Sequence, residues 1–297
     1  MKSSYRPNKW FTVLLFLLPS LIGFVVFVLI PIIAMICLAF TNYSGGFKTS
    51  FIGLDNFVRA INNSNFQNAL SNTIRFTVVT VIFQLLLGFI FAVILNGKLI
   101  GRTLFRAIIF LPVILSNIAV SLIFVLIFHP SKGPFNHFLL SIGMPAIPWL
   151  TSPKTALMTI ILVTLWQSFG YYMVLFLSGL QTINPELYEA GAIDGANSFQ
   201  RLIHITVPML SPTTFLCVIM SVINSFKVFD QIFAMTGGQL GGGPASSTTV
   251  LVFDIYQRAF TNYEMGYASA ESLILLILVL LITIIQYRGQ HKWVTYE

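Results

Sequence analysis

The chain has 297 residues, 56% of them hydrophobic and only 8% charged, with a formal net charge of +7. Soluble domains average about 25% charged residues, so a surface wetted all round is excluded and the apolar excess must face lipid. The positive balance does not suggest nucleic acid. Lys and Arg sit in short segments between apolar runs, with no basic run interleaved with aromatics, a pattern that sets orientation in a membrane.

The first apolar run, Phe11 to Phe40, follows Lys2, Arg6 and Lys9. As one helix it would cover about 45 Å, against a hydrocarbon core of about 30 Å. It is longer than the apolar region of a secretory leader and lacks a small-residue cleavage site, so it predicts a retained helix that tilts or protrudes. Pro31 is expected to kink it or to mark its outer end. Residues 41–68 are polar, rich in Asn and Gly, and read as a loop with one short helix. The second span is predicted at about 70–95, followed by a compact basic turn holding Lys98, Arg102 and Arg106. The third, about 107–128, has Pro112 near its start. A proline-rich loop over 129–153, with Trp149, leads to a fourth span at about 155–179. Residues 180–207 are the most polar internal stretch yet keep a helical pattern. The fifth span is predicted at about 209–234, a flexible Gly-rich loop at 236–248, and the sixth span at about 266–286. The fold class is thus an all-α integral membrane protein of six transmembrane helices, with residues 1–297 forming a single domain.

With the N-terminus in the cytoplasm, six spans return the C-terminus there. Lys2, Arg6, Lys9, Lys98, Arg102, Arg106, Arg201, Arg288 and Lys292 then lie inside. Lys48, Arg59, Arg75, Lys132, Lys154 and Arg258 lie outside, and Lys227 falls in a span. The inner excess favours this orientation. Cys37 and Cys217 lie in apolar runs and read as packing residues. His129, His137, His204 and His291 are scattered and make no metal-ligand spacing.

Residues 185–208 read PELYEAGAIDGANSFQRLIHITVP. Pro185 suits the first turn of a helix, and Glu186 and Glu189 follow where the helix dipole favours acidic groups. Gly195 permits a sharp change of direction. Phe199, Leu202 and Ile203 resume an apolar stripe that leads to Pro208 and the next span. This predicts a short amphipathic helix, a Gly bend and a second helical piece between two membrane helices, a shape suited to being pressed by another protein.

The stretch resembles the EAA loop of ABC importer permeases: Glu-Ala-Ala, three residues, Gly, nine residues, Ile, one residue, Leu, Pro. Glu189, Ala190 and Gly191 fill the triplet, with Asp194 just before Gly195, and Ile205 and Pro208 fall at the later spacings. Gly191 replaces the second Ala and Val207 replaces Leu; the glycine weakens the helix by up to about 1 kcal/mol. Leu18-Pro19-Ser20, Gly170-Tyr171-Tyr172-Met173, Leu180-Gln181-Thr182-Ile183 and Thr236-Gly237-Gly238 followed by Gly-Gly-Pro extend the resemblance to the carbohydrate-uptake branch. That branch includes permeases similar to the larger maltose-permease subunit and to glycerol-phosphate and multiple-sugar permeases. The resemblance implies the type I ABC importer transmembrane fold, with the 180–208 loop as the coupling helix that docks on a cytoplasmic ATPase subunit.

Ionisable groups inside spans are costly and point to function. Lys227 and Asp230, three residues apart, are expected to meet on one helix face, either as a mutually neutralised pair or as part of a polar pathway. Thr164, Trp166, Gln167, Ser168 and Tyr171 offer an aromatic face with amide and hydroxyl groups, the chemistry that holds sugars. By resemblance, Thr164, Gln167, Ser168, Tyr171, Ser221, Asn224, Ser225 and Val228 match solute-contacting positions of maltose-type permeases; the alternative for the Ser and Thr residues is helix–helix packing. The 236–248 segment lacks the G-x-x-x-x-G-K-[ST] pattern, and no P-loop occurs in the chain.

The expectation is therefore a permease subunit, not an enzyme, in a bacterial cytoplasmic membrane with both termini inside. The resemblance implies a second related permease, cytoplasmic ATPase subunits that hold ATP and Mg, and an extracellular solute-binding protein; this chain holds no cofactor itself. An oligosaccharide, a monosaccharide and a sugar or glycerol phosphate all remain open as the solute. The alternative is an ion-coupled secondary transporter using Lys227 and Asp230.

Overall fold

The computed structural model describes residues 9–46, 49–97, 99–238 and 241–290. The basic residues Lys2, Arg6, Lys48, Lys98 and Lys292, and both termini, on which the orientation was argued, lie outside the described residues. The only β pairing among the described residues is the isolated bridge Thr41–Phe51. Among the described residues four helices are long and apolar enough to cross a membrane, or up to six if each of two bent pairs counts as one. The chain divides into two compact units, one from Met1–Asn62 and Ile255–Ile274, the other from Asn63–Asp254 and Leu275–Glu297.

In the first unit, α1 (Lys9–Phe24) runs through a π turn, Val25–Leu29, into α2 (Ile30–Ala39). Pro31 does not end this helix. Proline removes an N–H and crowds the carbonyl four residues back; the wide π turn just before it, in which the Ile30 N–H reaches the Val25 carbonyl, absorbs both. From Val13 to Cys37 no described side chain of this helix is buried. Cys37 is therefore not a packing residue within this chain, whereas Cys217 is buried. A short helix, α3 (Asp55–Asn62), follows. Its buried Asn56 donates from Nδ2 to the carbonyls of Ala39 (2.9 Å) and Thr41 (2.8 Å), satisfying orphan groups at the end of α2. Arg59 pairs with Glu264 at 2.7 Å and lies 4.2 Å above the Tyr267 ring.

The second unit opens with α4 (Ser64–Asn96), longer than its apolar run. Asn63 accepts from the N–H groups of Asn65 and Phe66 and so starts the helix inside what reads as a loop. The third span is broken: α5 (Arg102–Ile114) and α6 (Asn117–Ile127) are bent by 96°, with Leu115 and Ser116 in extended conformation two residues past Val113. The loop over 129–153 contains α7 (Pro134–Ser141), and α8 (Ala156–Thr182) is the fourth span. After α9 (Pro185–Ile193) and α10 (Ser198–Arg201), a π turn, Leu202–Thr206, and α11 (Val207–Met209) lead to α12 (Ser211–Phe226). The fifth span then breaks at Lys227, before the short α13 (Asp230–Met235). Helix α14 (Leu251–Tyr256), a π turn at Gln257–Thr261 and α15 (Met265–Gly289) complete the chain.

Packing explains why these helices assemble. Along α4, Asn72, Phe76, Thr80, Gln84, Gly88 and Ala92 recur every fourth residue and are all buried; α8 lies along this stripe. Gly88 permits the approach, because a Cβ there would meet the Tyr172 Cβ at 2.9 Å. Two apolar clusters result, one around Phe76, Ile160, Val163, Ile232 and Phe253, the other around Ala92, Met173, Phe176, Leu180 and Leu210. Between them the same helices carry a polar layer. Residues 241–248 of the Gly-rich segment are tied to α4 and to one another: Asn68 and Asn72 donate to the Ser246 carbonyl, Asn72 also to that of Thr249 at 3.0 Å, and Gly242 accepts from the Thr248 N–H at 3.0 Å.

Candidate functional site

The polar layer opens into a cavity of about 460 Å³, within the size range of small-ligand sites. It draws on α4, α8, α12 and both helix breaks. Thr164, Gln167, Ser168 and Tyr171 of α8 line it, as do Asn224 and Ser225 of α12, Lys227 and Val228 at the break, and Asp230 at the start of α13. Ser221 does not line it; it is fully buried behind the wall and bonded to Gln84. Trp166 does not line it either. One residue before Gln167, it turns about 100° away, packs edge-on against Phe124 and stays partly exposed.

Lys227 and Asp230 do not share a helix face. α12 ends at Phe226, and Lys227, Val228 and Phe229 turn the chain before α13 starts. Among the described residues these two make no ion pair within 4.0 Å; the Asp230 carboxylate accepts instead from Asn117 Nδ2 at 3.2 Å. The other break is also tied down from across the cavity, where Gln167 Nε2 donates to the Leu115 carbonyl at 3.1 Å. A backbone interrupted within a membrane must have its freed groups satisfied or face a polar cavity, and Gln167 meets that demand at the Leu115 carbonyl between α5 and α6.

Several hydroxyls here are partnered by their own helix: Thr164 bonds the Ile160 carbonyl at 2.9 Å and Ser168 that of Thr164 at 2.7 Å. Two buried polar atoms of the wall are not. Gln167 Oε1 and Thr80 Oγ1, on residues 4% and 1% exposed, have no hydrogen-bond partner among the described residues. An unpaired buried polar atom costs about 1–3 kcal/mol, so both are suited to a ligand that brings hydroxyl groups. Phe76, Tyr172 and Phe229 add aromatic surface. Sequence reasoning missed Thr80, Gln84 and Asn117; the lone amide of Gln84 inside an apolar run was the signal that could have found it. Among the described residues no three His, Cys, Asp or Glu side chains gather as metal ligands.

The second candidate element is α9 with its flanks. Asn184 accepts from the Glu186 N–H at 3.1 Å as N-cap, with Pro185 at the first helical position. At the other end Gly195 has φ +81°. The Ala196 N–H reaches the Gly191 carbonyl at 2.9 Å and the Gly195 N–H that of Ala192 at 3.1 Å, the paired bonds of a Schellman turn. Asn197 and Gln200 then form a capping box for α10. Glu186, Glu189, Ala190 and Asp194 are exposed; Gly191, Ile205 and Pro208 are half-buried. Gly191 is more than a weak helix former: a Cβ there would meet Ile205 Cδ1 at 3.0 Å, so two positions of the EAA pattern touch. Tyr188 Oη and Thr206 Oγ1, 3.0 Å apart, tie the two helical pieces together. Ile193 and Phe199, 87% and 67% exposed, leave apolar surface on the outside.

Residues 84–293 match the family model described as "Binding-protein-dependent transport system inner membrane component". The probable ABC transporter permease protein YurN of Bacillus subtilis is 37% identical over 277 residues, covering 92% of this chain and 93% of that protein. The multiple sugar-binding transport system permease protein MsmF of Streptococcus mutans is 36% identical over 290 residues, covering 94% of each. A crystal structure of a bacterial alginate ABC transporter, in complex with an alginate pentasaccharide-bound periplasmic protein, contains a chain with a TM-score of 0.83 at 24% identity, covering 95% of both chains.

Proposed function

The chain belongs to the family of binding-protein-dependent transport system inner membrane components, and from that premise we propose that it is one permease subunit of an ABC importer that carries a carbohydrate. The whole chain acts as one permease domain beside a second, related permease. Separate cytoplasmic ATPase subunits bind ATP and Mg, and an extracellular binding protein delivers the solute. MsmF supports the carbohydrate class, being named for multiple sugars.

The observation that carries the reading is the cavity wall. Gln167 presents an unpaired, buried amide oxygen beside the hydroxyls and rings of Tyr171 and Tyr172. Such a wall suits a neutral polyhydroxy solute, whose hydroxyls satisfy the amide and whose apolar ring faces pack on the aromatics. The α9 segment supports the ATPase partner. It is rigid, exposed, and placed between the two helices that build the cavity. Gln167 stands 15 residues before the end of α8 and Asn224 stands 13 after the start of α12, so about 20 Å of helix separates the segment from the solute at 1.5 Å per residue. A push on α9, facing the cytoplasm, moves both helices together. ATP binding closes the ATPases and turns the cavity outward to receive solute, and hydrolysis returns it inward.

The ion-coupled alternative would use Lys227 and Asp230 as an ion site; both line the cavity, but the Asp230 carboxylate accepts from Asn117 and, among the described residues, makes no ion pair with Lys227. Affinity purification of the tagged chain in nanodiscs, with mass spectrometry of its companions, tests the proposal. Recovery of a P-loop ATPase and a second permease is expected; recovery of the chain alone, with uptake that follows an ion gradient, would sink it.

A further inference from the structure

We infer that Thr80, on α4, is a solute-contacting and specificity-determining residue of the cavity, a wall that the α8 and α12 residues do not supply. The inference rests on the reading of this cavity as the solute site. Thr80 lines the cavity, yet its residue is 1% exposed and its hydroxyl has no partner among the described residues. A threonine in a helix ordinarily bonds the carbonyl four residues back. Thr73 on the same helix does so at 2.7 Å, as do Thr159 and Thr164 on α8. Thr80 makes no such bond, and its hydroxyl stays unpartnered within the wall of the cavity.

The neighbouring turn holds it there. Gln84, four residues on and on the same face of α4, donates to Ser221 of α12, and its Oε1 lies 3.0 Å from Ser168 Oγ, whose one proton it shares with the Thr164 carbonyl. Both ends of the amide are occupied, so α4 is pinned to α8 and α12 one turn from Thr80. A hydroxyl that can both donate and accept, fixed at a polar wall, reads whether a solute carries a hydroxyl at the matching position.

Thr77 provides the control, because it is a buried threonine of the same helix, its hydroxyl is also unpartnered, and it does not line the cavity. Valine is nearly isosteric with threonine and removes only the hydroxyl. The complete importer, with its ATPase and binding protein, is reconstituted in proteoliposomes with Thr80→Val, Thr77→Val or Tyr171→Ala. Initial uptake of maltose, lactose, trehalose and raffinose is measured beside thermal stability. Thr80→Val is expected to change the uptake ratio between at least two of these sugars by about fivefold or more, close to what one hydrogen bond contributes. Its melting temperature should stay unchanged or rise. Thr77→Val should share the stability result and keep wild-type uptake ratios. If Thr80→Val matches Thr77→Val in uptake while Tyr171→Ala is impaired, the solute site stands and the Thr80 assignment is overturned. If both valine variants lower uptake of every sugar alike, α4 packing is the cause and the assignment is overturned as well. If Tyr171→Ala and Thr80→Val both leave uptake untouched, the cavity is not the solute site and both readings fail.

Discussion

Around α9 every end group is answered within a few residues: Asn184 serves Glu186, Gly195 and Ala196 close the far end, and Asn197 with Gln200 starts α10. Around the cavity the partners are remote. Gln167 reaches Leu115 across 52 positions, Ser168 reaches Gln84 across 84, and Asn117 reaches Asp230 across 113. The first region is closed mainly by local bonds, with Tyr188 and Thr206 tying it to the start of the next span. The second holds its shape only while α4, α5, α8 and α12 stay in register. If the proposed coupling holds, a displacement of the first would reach the solute only by deforming the second.

The difference can be broken most severely at Gly195. Its φ of +81° strains any β-branched residue, although a Cβ there meets nothing within 4 Å. Gly195→Val should abolish the turn, lowering uptake and solute-stimulated ATPase activity at least about tenfold, while the melting temperature moves by only about 2–4 °C. Wild-type ATPase stimulation would show that the turn geometry is not needed. Next comes Gln167→Leu, which strands the Leu115 carbonyl at the α5–α6 break. A loss of about 1–3 kcal/mol is expected, read as a lower unfolding midpoint of the whole second unit. Asn184→Ala should be milder and confined, at about 1 kcal/mol; hydrogen exchange should quicken in the first turn of α9 and nowhere near the cavity. Faster exchange in α8 would blur the contrast. The smallest effect belongs to Gly191→Ala. Its gain in helix propensity, up to about 1 kcal/mol, is opposed by the 3.0 Å approach of Ile205 Cδ1, so uptake should change less than about twofold. Trimming the opposing side chain as well, with Ile205→Val, should turn the exchange into a net stabilisation of α9, visible as slower exchange.

The same distinction governs what could be read before any coordinates. Apolar runs located the crossings, and Pro185, Gly195 and Pro208 marked the α9 segment, because local chemistry writes caps and turns directly into the sequence. Asn63 shows the limit of that rule: it caps α4 inside a polar stretch whose few apolar residues, Phe66 and Ala69, are outnumbered by Asn, Ser and Gln. The two broken crossings were missed for a further reason. Hydropathy over 107–128 and 209–234 sums composition and is blind to direction, and the group that helps make the α5–α6 break tolerable, Gln167, lies on another element. The line from Lys227 to Asp230 failed likewise, since a spacing of three means adjacency only if the helix continues. Thr80 was overlooked because a Thr among apolar residues carries no mark of whether its partner is its own helix, a neighbour or a solute.

The bare outer surface of the α1–α2 helix has a consequence for how the protein is made. None of its most apolar window is buried, while over half of the corresponding window of α8 is. During synthesis the first helix can leave the insertion machinery into lipid at once. α8 cannot settle there alone, because Gln167, Ser168 and its other inward polar groups would meet hydrocarbon. It must wait beside α4, already made, whose Thr80 and Gln84 face it, and be released as a pair. A pause in elongation between residues 182 and 211 would leave α8 waiting for α12 as well, so the segment joining them would set the time allowed for the two cavity helices to find each other.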